Sequence, residues 1–358
     1  MELIHRNLVQ VSFGELDYEI YKKYRIHDLL HEIILSKAQE LNLCQVLDAD
    51  DTTSHGKSQR LSIHDATENV FESSEYSRVR SIFLFNITEL PRSFIVKLFK
   101  KFKLLKVLDF EDAPIDYLPQ EVGNLFHLKH LSLRRTKVKI LPKSVGALHN
   151  LKTLNVLETL VGELPIEIFR LYKLRQILAH SHDFEIESSL YSERGVKVHE
   201  GVGCLKELQE LSMIEANHHG VGLFEELEKL SQLRLLGISN MTAERGRVLC
   251  TSIQKMVLLN ILVVGSISED EIIDLESISS PPPFLKHIYL RGRLNKLPNW
   301  ILELQNLPDG GEDYWKVKKV TTIRLRYRIK GEQYQIYKLG DLDLLERLQG
   351  VNKTCIGL

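Results

Sequence analysis

The hydrophobic positions of this chain recur in a fixed frame. Leu105-Lys-Val-Leu108-Asp-Phe110, Leu128-Lys-His-Leu131-Ser-Leu133, Leu151-Lys-Thr-Leu154-Asn-Val156 and Leu174-Arg-Gln-Ile177-Leu-Ala179 share an L-x-x-L-x-L skeleton and start 23 residues apart. The frame continues from Leu208, Leu233, Leu259 and Leu285, and Val79-Arg-Ser-Ile82-Phe-Leu84 is its first member; the intervals from 79 to 285 are 26, 23, 23, 23, 34, 25, 26 and 26. A second register precedes the first. Leu118-Pro to Leu128, Leu141-Pro to Leu151, Leu164-Pro to Leu174 and Leu297-Pro to Leu307 align without gaps as eleven-residue arcs. Self-similarity at such a period marks one supersecondary unit stacked on copies of itself.

The physical reading is a leucine-rich-repeat solenoid, an α/β horseshoe. The leucines point into a continuous core, the residues between them alternate outward on a short strand, and successive strands stack as a parallel sheet. Ala113, Thr136 and Thr159 fall where the chain must turn tightly after each strand. Proline, which cannot donate to a ladder, falls on the opposite arc. The long interval carries 34 − 23 = 11 extra residues within His180 to Lys197, and an insertion in one repeat maps to a surface loop.

The ends differ from the middle. Leu8 to Val11 and Tyr18 to Tyr21, joined around Gly14, predict a β-hairpin. From Ile26 the spacing turns helical, with Ile26, Leu29, Leu30, Ile33, Ile34 and Leu41 on one face. The polar stretch Asp48 to Ser58 reads as a linker. After Leu307, Pro308-Asp-Gly-Gly311 stands where a strand is due, and the remainder has β-prone runs such as Val320 to Tyr327 without the frame; a solenoid needs its last apolar face covered, so this tail reads as a cap. The expected division is 1–47, 48–75 as linker, 76–307 as repeats and 308–358 as tail.

Composition narrows the function classes. Hydrophobic residues make up 43% and charged residues 27%, values that exclude collagen, long disorder and a disulfide scaffold. With 47 Lys and Arg against 48 Asp and Glu the net charge is -1, so no global field recruits nucleic acid or an anionic membrane, and such binding needs a local patch. Cys44, Cys204, Cys250 and Cys355 are far apart and form no CxxC pair, which favours reduced thiols. The longest apolar runs, such as Val257 to Val264, fall short of the ~20 residues of a membrane span. Met1-Glu-Leu-Ile-His-Arg has no apolar signal core. The expected location is cytoplasmic, including a peripheral place at the plasma membrane.

Candidate chemistry is sparse. Gly56-Lys57-Ser58 lacks the earlier glycine and strand of a phosphate loop, since Asp51 stands five residues before Gly56. His27-Asp-Leu-Leu-His31 has the i, i+4 spacing of a zinc-protease helix, but Asp28 replaces the needed Glu and no third ligand is evident. His180-Ser-His182-Asp183 borders the insertion and reads as solvated loop. The expectation is a chain that binds rather than catalyses. Lys106, Lys129, His130, Arg134, Arg135, Lys137, Lys139 and Lys152 fall in or just after consecutive strands, which predicts one basic patch on the concave face, complementary to an acidic protein surface.

Tyr24-Arg-Ile-His-Asp-Leu-Leu-His-Glu-Ile-Ile34 is similar to the Met-His-Asp motif and following helix of a winged-helix subdomain, with Ile26 in place of Met. Arg60-Leu-Ser-Ile-His64, Tyr191 to Val198, Ser280 to Leu285, Leu297 to Trp300 and Asp309 to Trp315 resemble further stretches of the same proteins. These residues resemble plant coiled-coil nucleotide-binding leucine-rich-repeat (NLR) disease-resistance receptors of the RPM-like group. The resemblance implies that residues 1–47 are the end of a nucleotide-binding module and that His27, with Asp28 supporting the fold, senses the β-phosphate of ADP in an ADP/ATP switch. It implies partners in the nucleotide-binding and coiled-coil modules and in a pathogen effector or guarded host protein, the function being recognition and autoinhibition in defence. It also implies that the coiled coil and phosphate loop lie outside these residues and that repeats are skipped after Leu307. The alternatives are a complete P-loop switch of which this is a part, and a generic repeat adaptor.

Overall fold

A computed structural model describes residues 9–16, 19–26, 28–41, 43–47, 58–64, 78–85, 87–182, 193–216, 222–268, 271–294, 298–303, 322–329 and 332–336. Strands β1 (Val9–Leu16) and β2 (Glu19–Ile26) form an antiparallel hairpin. Gly14 is not its turn: it pairs with Tyr21 inside the ladder, and the chain reverses between Leu16 and Glu19. Helix α1 (Asp28–Glu40) follows, with Ile33 and Ile34 exposed.

The rest is one ladder. β3 (Gln45–Leu47), β4 (Arg60–Ile63), β5 (Ser81–Leu84), β6 (Val107–Asp109), β7 (His130–Ser132), β8 (Thr153–Thr159) and β9 (Gln176–His182) pair in parallel in chain order. The sheet therefore starts upstream of residue 76, with β3 at the end of the expected segment 1–47 and β4 inside the stretch expected as linker. Leu61 and Ile63 explain this, because they are fully buried and carry the same inward alternation as the repeats. After β10 (Glu193–Arg194), which returns antiparallel to β9, the parallel order resumes with β11 (Glu210–Glu215), β12 (Leu235–Met241), β13 (Ile261–Ser266) and β14 (His287–Arg291). β15 (Thr322–Ile329) pairs in parallel with β14, and β16 (Glu332–Ile336) pairs antiparallel with β15. Part of the expected tail thus continues the sheet.

The convex side is crossed in more than one way. The 23-residue repeats cross in 3-10 turns, Gln120–Asn124, Lys143–Ala147 and Ile166–Arg170. Three of the four repeats of 25 or 26 residues hold α-helices instead, α2 (Arg92–Lys101), α3 (Gly222–Glu228) and α4 (Ala243–Ile253), while the fourth, from Leu259 to Leu285, crosses without a helix among its described residues. An α-helix rises ~1.5 Å per residue and a 3-10 helix ~2.0 Å, so the tighter form spans a similar arc with fewer residues. Pro119, Pro142 and Pro165 stand at the N-caps of the three turns with φ of -71°, -69° and -65°, the value their rings impose. The last described helix is α5 (Asn299–Glu303), whose Trp300 is buried and donates from Nε1 to the Leu275 carbonyl at 2.7 Å.

The turn after the strands is equally regular. Asp112, Arg135, Glu158 and Asn240 all have left-handed backbone, φ 53° to 61°. The next residues in the first three, Ala113, Thr136 and Thr159, are buried, and the two threonines donate from Oγ1 to the carbonyls of Leu133 and Val156 at 2.6 and 2.7 Å. That satisfies a hydroxyl and a strand-end carbonyl together.

One repeat departs from the frame. Met213 is expected inward, yet the register between β11 and β12 shifts between Leu211 and Ile214, and it is Ile214 that joins the main core. Met213 packs with Val263 and Tyr289 in a second cluster. The returning insertion is the cause: β9 pairs with β11 only at Gln176 and Ile177, and beyond that point Val196 takes its place, donating to the Met213 carbonyl and accepting from the Glu215 amide.

Candidate recognition surface

Residues that alternate away from the core form rows across the concave face. One row runs Val107, His130, Thr153, Gln176, Glu210 through register-paired positions. Its members are coupled by side chains: Thr153 Oγ1 donates to Gln176 Oε1 at 2.7 Å, and Gln176 Nε2 donates to Glu210 Oε2 at 2.9 Å. The face changes character along the solenoid. Asp109, Ser132 and Asn155 make the next row polar in the early repeats, whereas Val263 and Tyr289 make it apolar in the late ones. Burial holds the His130 imidazole below its usual range, against the pull of the Asp109 carboxylate.

The expected single basic patch is divided by the fold. His130 alone lies within a strand on the concave face. Lys106, Lys129 and Lys152 lie just before β6, β7 and β8, on the edge where strands start; the Lys129 amide donates to the Lys106 carbonyl at 2.7 Å and the Lys152 amide to the Lys129 carbonyl at 2.8 Å. Arg134, Arg135, Lys137 and Lys139 lie past the opposite, strand-end edge. The two arginines are also neutralised. Arg134 meets Glu111 at 3.3 Å and Glu158 at 2.9 Å, and Arg135 meets Glu111 at 2.6 Å and Asp112 at 2.5 Å. Acidic residues of the neighbouring repeats occupy the same turn position, which is why the charges pair across repeats rather than face solvent. Among the described residues Lys137 and Lys139 are exposed and make no ion pair.

Beside them opens a cleft of about 1190 Å³ along the strand-end edge. Its lining includes Lys139, Lys143, Glu163 and Glu167, Arg194 and Lys197 of the returning insertion, and Met213, Glu215 and Arg291. The insertion is seated without slack. A Cβ on Gly195 would lie 2.5 Å from the Ile214 carbonyl carbon and 2.4 Å from Ser239 Oγ, and the Gly195 amide donates to that hydroxyl at 2.9 Å. His199 pairs with Glu163 across the same edge. Only the framing residues of this cleft follow from the repeat; the insertion's docking leaves no signal in the sequence beyond Gly195.

The remaining candidates place as follows. His27 lies outside the described residues, and Asp28 is the first residue of α1. Gly56 and Lys57 are likewise outside, while Ser58 is buried and exchanges hydrogen bonds with the Arg60 backbone. His180 is buried in β9, and Asp183 is outside the described residues. Among the described residues no group of three or more His, Cys, Asp or Glu is placed to hold a metal, and no helix is long and apolar enough to cross a membrane.

Comparison with known proteins agrees with this geometry. The family described as "Leucine-rich repeat region" matches residues 78–309. Disease resistance protein RPM1 of Arabidopsis thaliana is 34% identical over 313 residues, 86% of this chain and 33% of RPM1, and disease resistance protein RPP8 of the same plant is 32% identical over 142 residues, 37% of this chain and 15% of RPP8. The chain spans about a third of the length of RPM1. Among solved structures, the LRR ectodomain of the Arabidopsis thaliana membrane receptor kinase GASSHO1/SCHENGEN3 superposes with a TM-score of 0.48 at 16% identity, covering 68% of this chain and 28% of that one. With the family matched across most of the ladder, the chain belongs to the leucine-rich-repeat proteins, and its relatives among them are plant disease resistance proteins.

Proposed function

We propose that this chain is the recognition and autoinhibition module of a plant defence receptor of the NLR kind, and that it binds protein through the strand-end edge and the concave face beside it. The observation that carries the reading is the cleft framed by Lys139, Lys143, Arg194 and Lys197 next to the unpaired Lys137, on a chain related to RPM1 over most of its length. Clustered cations at a concave edge favour an acidic protein surface. In a longer receptor that surface belongs to the nucleotide-binding module, and the remaining face meets an effector or a guarded host protein. ADP and ATP enter by resemblance alone: His27 supplies a ring N–H for a diphosphate oxygen, Asp28 supports the helix start, and the phosphate loop comes from outside these residues.

The test is a charge reversal where the cations are free. Lys137→Glu with Lys139→Glu lowers affinity for a separately expressed nucleotide-binding module by about tenfold or more, as measured by calorimetry; unchanged affinity refutes the docking. Reversing Arg134 and Arg135 is the wrong probe, because it breaks ion pairs within the solenoid.

A further inference from the structure

The strand-start edge is a second, separate surface. Over four consecutive repeats its segments are 97–106, 124–130, 147–153 and 170–176, and these hold ten Lys and Arg residues and no Asp or Glu. That segregation stands out in a chain whose net charge is -1. Lys106, Lys129, Lys152 and Arg175 follow one another as rungs, each amide donating to the carbonyl of the previous one at 2.7 to 2.8 Å from Lys129 onward, so their side chains repeat at the ~4.8 Å spacing of adjacent strands. Lys100, Lys103, Lys106 and Lys129 are exposed and make no ion pair among the described residues. The run ends at the next repeat, where Glu207 binds Arg175 at 3.1 Å.

Apolar side chains protrude between these cations. Leu104 is 40% exposed, Phe126 55% and Tyr172 65%. All three lie in the short link that enters a strand, and the links are tied together: Asn150 donates from Nδ2 to the Phe126 carbonyl at 2.8 Å and accepts from Lys173 Nζ at 2.8 Å. The result is an edge with apolar tips standing out among ammonium groups.

We propose that this edge docks on an anionic phospholipid surface, the lysines reaching headgroup phosphates and carboxylates while Leu104, Phe126 and Tyr172 enter the interfacial layer. Amphipathic rings settle at headgroup depth, and juxtaposed cations add attraction to an anionic leaflet. Two features favour lipid over nucleic acid. Eight of the ten cations are lysine, a point charge suited to a diffuse layer, whereas bidentate phosphate and base contacts favour arginine. Leu104 offers no ring on which a base stacks. The surface goes beyond the recognition edge above and shares no residue with its test.

The experiment uses the full chain and vesicles of phosphatidylcholine with or without phosphatidylserine. Co-sedimentation with the anionic vesicles and not with the neutral ones is expected. Neutralising Lys106, Lys129 and Lys152 to Gln lowers partitioning by about a hundredfold, at roughly fivefold per charge. Phe126→Ser with Tyr172→Ser also weakens vesicle binding while leaving retention on heparin unchanged, which separates interfacial insertion from bare charge. All five positions are at least partly exposed, and unchanged thermal unfolding confirms that the variants are folded. Absence of binding to anionic vesicles overturns the proposal. So does preferential binding to single-stranded RNA, or loss of heparin and vesicle binding in equal measure in the aromatic variant. Loss of vesicle binding leaves the affinity for a nucleotide-binding module untouched, so this surface and the strand-end edge fail independently.

Discussion

Arg135 grips Asp112 of the preceding repeat with two hydrogen bonds, from Nε at 2.5 Å and from Nη2 at 2.6 Å, and both residues hold left-handed backbone, with φ of 53° and 61°. The hydrogen bond from Arg135 is the main reason the Asp112 carboxyl is held below its usual value, with partial burial opposing and the charges of Arg135 and Arg134 assisting. A depressed carboxylate contributes stability that is complete above its unfolded value of ~3.9 and is lost as pH falls through the folded value. Asp112 is 61% exposed, so the contribution is under about 1 kcal/mol. Arg135→Gln is therefore expected to lower the urea midpoint at pH 7, with the gap to the parent starting to close only as pH falls below about 4. A difference that stays constant from pH 7 to pH 3 sinks this account. Arg135→Gly loses the same pair but relieves the left-handed backbone, and is expected to fall between the two.

Close packing of the convex turns gives a sharper contrast. A Cβ on Gly146 would lie 2.5 Å from Glu167 Cβ and 2.7 Å from the Glu167 carbonyl oxygen, whereas one on Gly162 meets nothing within 4 Å. Gly146→Ala should cost about 1–3 kcal/mol and Gly162→Ala close to nothing. Equal stabilities in guanidinium unfolding would contradict the stacking of the turn Lys143–Ala147 on Ile166–Arg170.

Glu226 ties two repeats together. Its Oε2 accepts from the amides of Gly201 and Gly203 at 3.2 and 3.0 Å while Oε1 pairs with Lys229. The lysine bond first, and the two amides after it, hold this carboxyl below its usual value against partial burial. Glu226→Ala leaves two backbone donors without their partner and is expected to cost about 1–3 kcal/mol, with the loss greatest above the ordinary carboxylate range and shrinking in acid. Circular dichroism melts at pH 7 and pH 3 decide it; a larger loss at pH 3 has the wrong sign.

Thiol chemistry separates two cysteines. Cys250 is fully buried and its thiol is pushed up to about 11 by that burial, whereas Cys204 is exposed. At pH 8 a maleimide should label Cys204 within minutes and reach Cys250 only on unfolding. Rapid labelling of Cys250 in the native protein, located by peptide mass mapping, would show α4 opening far more readily than its packing implies.

Much of the ladder is legible in the sequence because each repeat reports the same physical constraint. Leu108, Leu131, Leu154 and Ile177 are buried by a period that no other fold needs to keep, and Thr136 and Thr159 reveal the tight turn that follows. What escapes the frame is whatever depends on contact between repeats. Nothing local in Arg134 or Arg135 indicates that Glu111, Asp112 and Glu158 will stand beside them, since those partners lie 23 or 24 residues away. The exchange of Met213 for Ile214 in the core has the same origin: Val196 enters the sheet from an insertion, and the register shift is a response to it. The strand-start edge is within reach of the sequence, because the position of Lys106 is Arg80, Lys129, Lys152, Arg175, Arg234 and Lys286 in six of the other eight repeats and Gln209 and Asn260 in the remaining two.

The pairing of β14 with β15 bears on how such a chain varies. His287 pairs with Thr322 and Arg291 with Arg326, a register kept across an interval of 322 − 287 = 35 residues, as β9 and β11 keep theirs at Gln176 and Glu210 across 34. The ladder specifies where a strand enters and not how much chain precedes it. A lineage of such proteins is therefore free to gain or drop a whole turn, or to lengthen one loop, without renegotiating the bonds of any other turn, and the face offered to partners lengthens or shortens in steps of one strand.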